Sequence, residues 1–118
     1  MEYRISEGVL MIEPGEEIDH HQAEIIIRYT ENLIRQRRVR LLIFDLTDTV
    51  FMDSAGVGMM IGLYREMKVC GGTVGIIHMQ EGIRRIYQMA GLQKIIRCYE
   101  DEQQMLSVMG GGDGKDER

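Results

Sequence analysis

The sequence predicts an α/β domain: a mixed β-sheet flanked by helices, with elements in the order ββαβαβαβα. Three observations carry that expectation. Short apolar runs alternate along the chain with segments of three-and-four hydrophobic spacing, the pattern of strands joined by helical crossovers. Leu41-Leu42-Ile43-Phe44 is an uninterrupted apolar run, as expected of a strand covered on both faces. No repeat and no linker-like stretch interrupts the 118 residues, a length that suits one compact core.

Each element has its own reason. Segments 3–6 and 9–13 read as a starting hairpin around a Glu7-Gly8 turn, and Pro14-Gly15 stops the second strand. Asp19 opens a helix whose apolar face is Ala23, Ile26, Ile27, Thr30, Leu33 and Ile34. Arg35, Arg37 and Arg38 suit the negative end of its dipole. The apolar strand ends at Asp45, and a loop through Thr47, Asp48 and Thr49 leads to a second helix opened by Asp53-Ser54. Its expected buried stripe is Val57, Met60, Ile61 and Tyr64, and Gly71-Gly72 marks its end. A strand at 73–78 follows, then a short helix carrying Ile83, Ile86, Tyr87 and Ala90, closed by Gly91. Segment 95–98 reads as the last strand, and 100–109 as a last helix with Met105, Leu106 and Met109 as contacts. The domain is expected to span residues 1–109. Residues 110–118, rich in glycine and charge, have almost nothing to bury and are expected to be a disordered tail.

Composition narrows the function classes. A net charge of −5 opposes broad attraction to nucleic acid or to anionic membranes. Cys70 and Cys98 are isolated, so a disulfide framework is not expected, and reduced thiols fit a cytoplasmic protein. The amino terminus meets acidic residues at once and has no basic-then-apolar leader. No apolar run approaches the about 20 residues that span a bilayer.

The segment Phe51-Met52-Asp53-Ser54-Ala55-Gly56-Val57-Gly58 is the most informative, because it joins a buried strand to a helix. Ser54 falls at or just before the first turn, where free amides and the helix dipole favour an anion. A phosphoryl group there brings about two negative charges to any partner packed on the same surface. The plainer alternative is that Asp53 or Ser54 only caps the helix. Gly56 and Gly58 form no phosphate-binding loop, and Ser54 is in no GxSxG elbow. Gly58 and Gly62, four apart, make a bare strip that serves either close packing or a partner surface, packing being the commoner use. Asp19-His20-His21 invites a metal, but adjacent histidines do not share a helix face. Asp45, Asp48 and Asp53 could hold a divalent ion, though loop and capping roles suit them better. No metal, cofactor or catalytic set is expected. The ten methionines read first as core filler.

Three stretches in order resemble one family. The 51–58 segment, continued by Met59-Met60-Ile61-Gly62-Leu63-Tyr64-Arg65, resembles the signature of STAS-domain anti-sigma-factor antagonists. Gly15-Glu16-Glu17-Ile18-Asp19-His20-His21-Gln22-Ala23-Glu24 is similar to that family's GELDHHTAE, and Met89-Ala90-Gly91-Leu92-Gln93-Lys94-Ile95-Ile96-Arg97 to its MSGLxKIIR. The second and third stretches point to the sporulation sigma-F regulators of endospore formers. The resemblance implies a single STAS-type domain. It implies that the unphosphorylated protein binds an anti-sigma factor that is also a serine kinase, so freeing the sigma factor. The kinase then phosphorylates the serine aligned with Ser54 and the two part, and a serine phosphatase restores the hydroxyl. Nucleotide belongs to the kinase. The residues expected to meet the partner are Asp19, Asp53, Ser54, Ala55, Gly56 and Gly58.

Two departures stand out. Ala55 replaces the second serine of the usual DSSG, which leaves Ser54 as the acceptor. Glu16-Glu17 stands where the family has a glycine and one glutamate, so the loop before Asp19 differs. A STAS module of another pathway, such as general stress, is the alternative within this class, and the neighbouring genes discriminate it. A nucleotide-binding domain is the alternative from another class; phosphate release lost on mutating Ser54 or Asp53 would mark it.

Overall fold

The computed structural model describes residues 1–108, so the expected tail at 110–118 and the contact expected of Met109 lie outside the described residues. Strands β1 (Glu2–Ser6) and β2 (Val9–Glu13) form the antiparallel hairpin. Glu7 and Gly8 both take positive φ, 51° and 81°, the backbone that a tight two-residue hairpin turn requires. The chain then runs through β3 (Glu17–Ile18), α1 (His20–Gln36), β4 (Leu41–Asp45), β5 (Phe51–Met52), α2 (Ser54–Val69), β6 (Thr73–Ile77), α3 (Glu81–Met89) and β7 (Arg97–Tyr99). A last helical segment, α4, occupies 102–108.

The main sheet has the order β1-β2-β4-β6-β7, antiparallel at β1–β2 and parallel elsewhere. Side-chain alternation splits its residues between two cores. Leu10, Ile12, Leu42, Phe44, Val74 and Ile76 face α1, α2 and α3, while Met11, Leu41, Ile43, Ile77 and Tyr99 face Met105 of α4. Gly75 makes the second packing possible, because a side chain there would collide with the Met105 thioether. The mixed sheet flanked by helices is the architecture that the sequence predicts.

Four details differ from expectation. β3 and β5 form a separate parallel pair, Glu17 opposite Phe51 and Ile18 opposite Met52. At two residues each they are too short to show any periodicity. The last strand starts at Arg97 instead of Ile95, because a 3-10 turn at Leu92–Lys94 delivers Ile96 to the core first. Tyr87 holds that turn in place, its hydroxyl donating to the Ile96 carbonyl at 2.7 Å. The buried face of α2 is Gly56, Met59, Met60, Leu63 and Met67, with Val57, Ile61 and Tyr64 only half-buried beside it. Finally, α4 begins at 102, where the Asp101 carboxylate accepts the Gln104 amide at 2.7 Å.

Candidate functional site

The β3–β5 pair sets the geometry of the site. Each of these strands runs directly into a helix, so the parallel register places the amino ends of α1 and α2 side by side. Asp19 and Asp53 are the two N-caps, with nearly the same backbone: φ −92°, ψ −174° and φ −99°, ψ −172°. Asp19 accepts the Gln22 amide at 2.9 Å, and Asp53 accepts the Gly56 amide at 3.0 Å. The Asp53 amide donates to the Ile18 carbonyl at 3.2 Å, carrying the ladder up to the caps themselves. The amide of Gln22 holds the Asp19 carboxyl below the usual carboxylate range, and His21 and His20 add to that effect.

Ser54 is the first residue of α2 and is exposed. At this position its own amide and that of Ala55 precede the first intrahelical acceptor. A charged group on Ser54 Oγ would stand beside those donors and near the positive ends of two helices. Capping is therefore the task of Asp53, which leaves the Ser54 hydroxyl open to solvent.

The other expected residues divide. Ala55 is half-buried against the main core. Gly56 is buried: an added Cβ would lie 2.6 Å from Met52 Cγ and 2.8 Å from the Ile18 carbonyl oxygen. Its bareness serves the junction between α2 and the β3–β5 pair. Gly58 and Gly62 show the reverse. Both are exposed, and a Cβ on either would meet nothing within 4 Å. The packing explanation for that strip does not hold; it lies open, on the same helix face as Ser54 by its four-residue spacing.

The loop leading to the site is tied down at both ends. Thr49 is fully buried, and its hydroxyl donates to the Gly15 carbonyl at 2.7 Å. The Val50 and Phe51 amides both reach the Glu16 carbonyl, at 2.8 and 3.3 Å. At its start, Asp45 accepts from the Thr47 hydroxyl at 2.6 Å and pairs with His78 at 3.0 Å. Partial burial pushes the Asp45 carboxyl up, but the Thr47 and His78 contacts outweigh it and hold it below the usual range. His78 itself sits at φ 58°, in the left-handed region. Asp45 and Asp53 are thus engaged with protein donors, and among the described residues no three His, Cys, Asp or Glu side chains converge as metal ligands. Also among the described residues, no helix is long and apolar enough to cross a membrane.

One feature escapes the sequence. Val50 and Phe51 are 58% and 45% exposed, although they belong to the apolar run Val50-Phe51-Met52 that leads into the signature segment. Only the pairing of β5 with β3 shows that Met52 turns inward and Phe51 outward.

Comparison with known proteins agrees with this architecture. A family model for the STAS domain matches residues 1–105. An anti-sigma F factor antagonist of Paenibacillus polymyxa is 28% identical over 102 residues, covering 86% of this chain and 87% of its own. One of Lysinibacillus sphaericus is 32% identical over 94 residues, 80% of each. The anti-sigma factor antagonist SpoIIAA, in its unphosphorylated form, superposes with a TM-score of 0.81 at 26% identity over 92% of this chain and 96% of that one. The phosphorylated form of the Bacillus cell fate determinant SpoIIAA gives 0.72 at 26% identity, over 91% and 97%. With its sheet order, its paired helix caps and these matches together, the chain belongs to the STAS domain family and, within it, to the anti-sigma-factor antagonists.

Proposed function

We propose that this chain is a phosphorylation-gated antagonist: unmodified, it binds an anti-sigma factor with serine kinase activity and so frees a sigma factor, and phosphorylation of Ser54 ends that binding. In this reading the chain is ligand and substrate, and ATP or ADP belongs to the kinase. A serine phosphatase resets the cycle, which takes place in the cytoplasm of a sporulating bacterium. The observation that carries the reading is the exposed Ser54 hydroxyl at the first position of α2, with its capping duty taken by Asp53. A dianion is tolerable there within this fold, because the first-turn amides and the helix dipole face it. A partner surface closed over the same hydroxyl has to accommodate both the bulk and the charge. That a related protein exists in phosphorylated and unphosphorylated forms supports the same cycle.

Asp19, adjacent to Asp53 across the β3–β5 pair, supplies a fixed carboxylate beside the acceptor. Ala55 and exposed Gly58 extend the contact along α2, whereas buried Gly56 shapes it from below. The test is incubation of the chain with ATP and the anti-sigma factor encoded in the same genome, followed by mass spectrometry. Wild type gains one phosphoryl group on Ser54 and Ser54→Ala gains none. Modification of Ser54→Ala to the wild-type level would refute the assignment.

A further inference from the structure

We propose that Phe51, flanked by Val50, is the apolar anchor of the docking surface, and that it seats in an apolar slot with a basic rim on the anti-sigma factor. This rests on the function proposed above and adds residues that the motif does not mark as contacts. Both side chains are exposed, at 45% and 58%, and both precede Ser54 by only a few residues. An apolar pair left in solvent beside a modification site has no use in the chain's own core, which Met52 enters in its place. The pair is also held in position. Thr49, directly before the pair, is buried and anchored to the Gly15 carbonyl, and the Glu16 carbonyl receives both the Val50 and Phe51 amides. An aromatic side chain on a fixed backbone loses little freedom on binding, which is what an interface anchor needs.

Charge identifies the occupant. Glu17 is the direct neighbour of Phe51 across the parallel pair, and both point outward. Asp48 and Asp53 flank the two apolar residues in sequence, and Glu16 and Asp19 flank Glu17. From Ile5 to Ile27 and from Leu41 to Tyr64, the stretches that carry β3, β5 and the two helix starts, there is no Lys or Arg; α3, which also packs beside β5, brings Arg84, directed at Cys98 Sγ, and the exposed Arg85. A complementary surface must therefore be apolar at its centre and cationic where it meets β3 and the two helix starts. A second copy of this chain would present carboxylates to carboxylates under two-fold symmetry. An anionic bilayer would be repelled in the same way.

The experiment measures binding of the anti-sigma factor from the same genome to wild type, Phe51→Ser, Phe51→Leu and Val50→Ser by surface plasmon resonance. Circular dichroism verifies that each variant is folded. Phe51→Ser should weaken binding about tenfold or more, mainly through faster dissociation. Phe51→Leu should recover most of the loss, and Val50→Ser should weaken binding less than Phe51→Ser. If Phe51→Ser does not fold, Val50→Ser decides: wild-type affinity in that variant overturns the proposal. Wild-type affinity in a folded Phe51→Ser overturns it directly. So does sedimentation showing a wild-type dimer that Phe51→Ser dissociates, since a second copy would then hold the patch. Phosphorylation of wild type on Ser54 in the same mixture tests the underlying function separately: modified Ser54 with an indifferent Phe51 defeats the anchor alone.

Discussion

At the scale of single residues, the glycines of α2 separate what holds the fold from what presents it. Gly56 and Gly58 are two apart in one motif, yet a methyl group on the first strikes the Ile18 carbonyl and Met52, while on the second it touches nothing. Gly56→Ala is therefore expected to lower stability by about 1–3 kcal/mol, the usual cost of overpacking against groups that cannot move away. Gly58→Ala should raise it by up to about 1 kcal/mol, because alanine is the better helix former. Urea denaturation of both variants checks the contrast, and equal effects would mean that the α2 junction is not as tight as described. Asp45 gives a residue-scale prediction in pH. Its carboxyl lies below the usual range in the folded chain, so its contribution is present above the unfolded-state value and is lost as pH falls through the folded one. The acid limb of a melting-temperature profile should consequently be shallower for Asp45→Asn than for wild type. Parallel acid limbs would show that Thr47 and His78 do not stabilise the charged form.

Among the elements, the two-residue strands β3 and β5 matter more to the site than their length suggests. They bring two helix caps that lie 34 positions apart in the chain, Asp19 and Asp53, into neighbouring places. Thr49 secures the loop into β5, so Thr49→Val, which keeps the shape and removes the hydroxyl, leaves the Gly15 carbonyl without that partner. The expected loss is about 1–3 kcal/mol, with faster hydrogen exchange at the amides of residues 50–56 than in the helix bodies. Uniform exchange along α2 would deny β5 this role. The same strands show where sequence reading stops. The faces of α1 and the continuous run of β4 are legible because periodicity over many residues reports burial directly. Ser54 is legible as an opening residue because caps have a local chemistry. Pairing between Glu17 and Phe51 is a contact across the fold, and two residues carry no period to announce it. The face of α2 is misjudged for a related reason. Apolar residues surround most of that helix, so spacing alone allows several rotations, and the seat of Gly56 against Ile18 selects one of them. Ile95 reads as strand because it adjoins buried Ile96, yet the turn at Leu92–Lys94 leaves Ile95 37% exposed.

Over the whole molecule, charge is sorted by end. The strand carboxyl ends and helix amino ends share Asp19, Asp45, Asp48 and Asp53, while Arg35, Arg37, Arg38, Arg40 and Lys68 gather where α1 and α2 finish. Such an acidic end steers a basic partner from a distance, so association with the anti-sigma factor should slow steeply as salt rises, with dissociation nearly unchanged. The same polarity constrains how phosphorylation could end binding. A phosphoryl group on Ser54 makes the acidic end more negative, and at long range that strengthens attraction to a cationic surface. Under the proposed cycle, release would then arise at contact, where the added bulk and the desolvation of a dianion are felt. In stopped-flow measurements at low salt, phosphorylated chain should associate within about threefold of the unmodified rate, or faster, and dissociate at least about tenfold faster. Raising salt should slow the association of both forms, the phosphorylated one more. A loss of affinity found wholly in the association rate, with dissociation unaltered, would place the gate in the approach of the two proteins and refute a mechanism acting at the closed interface.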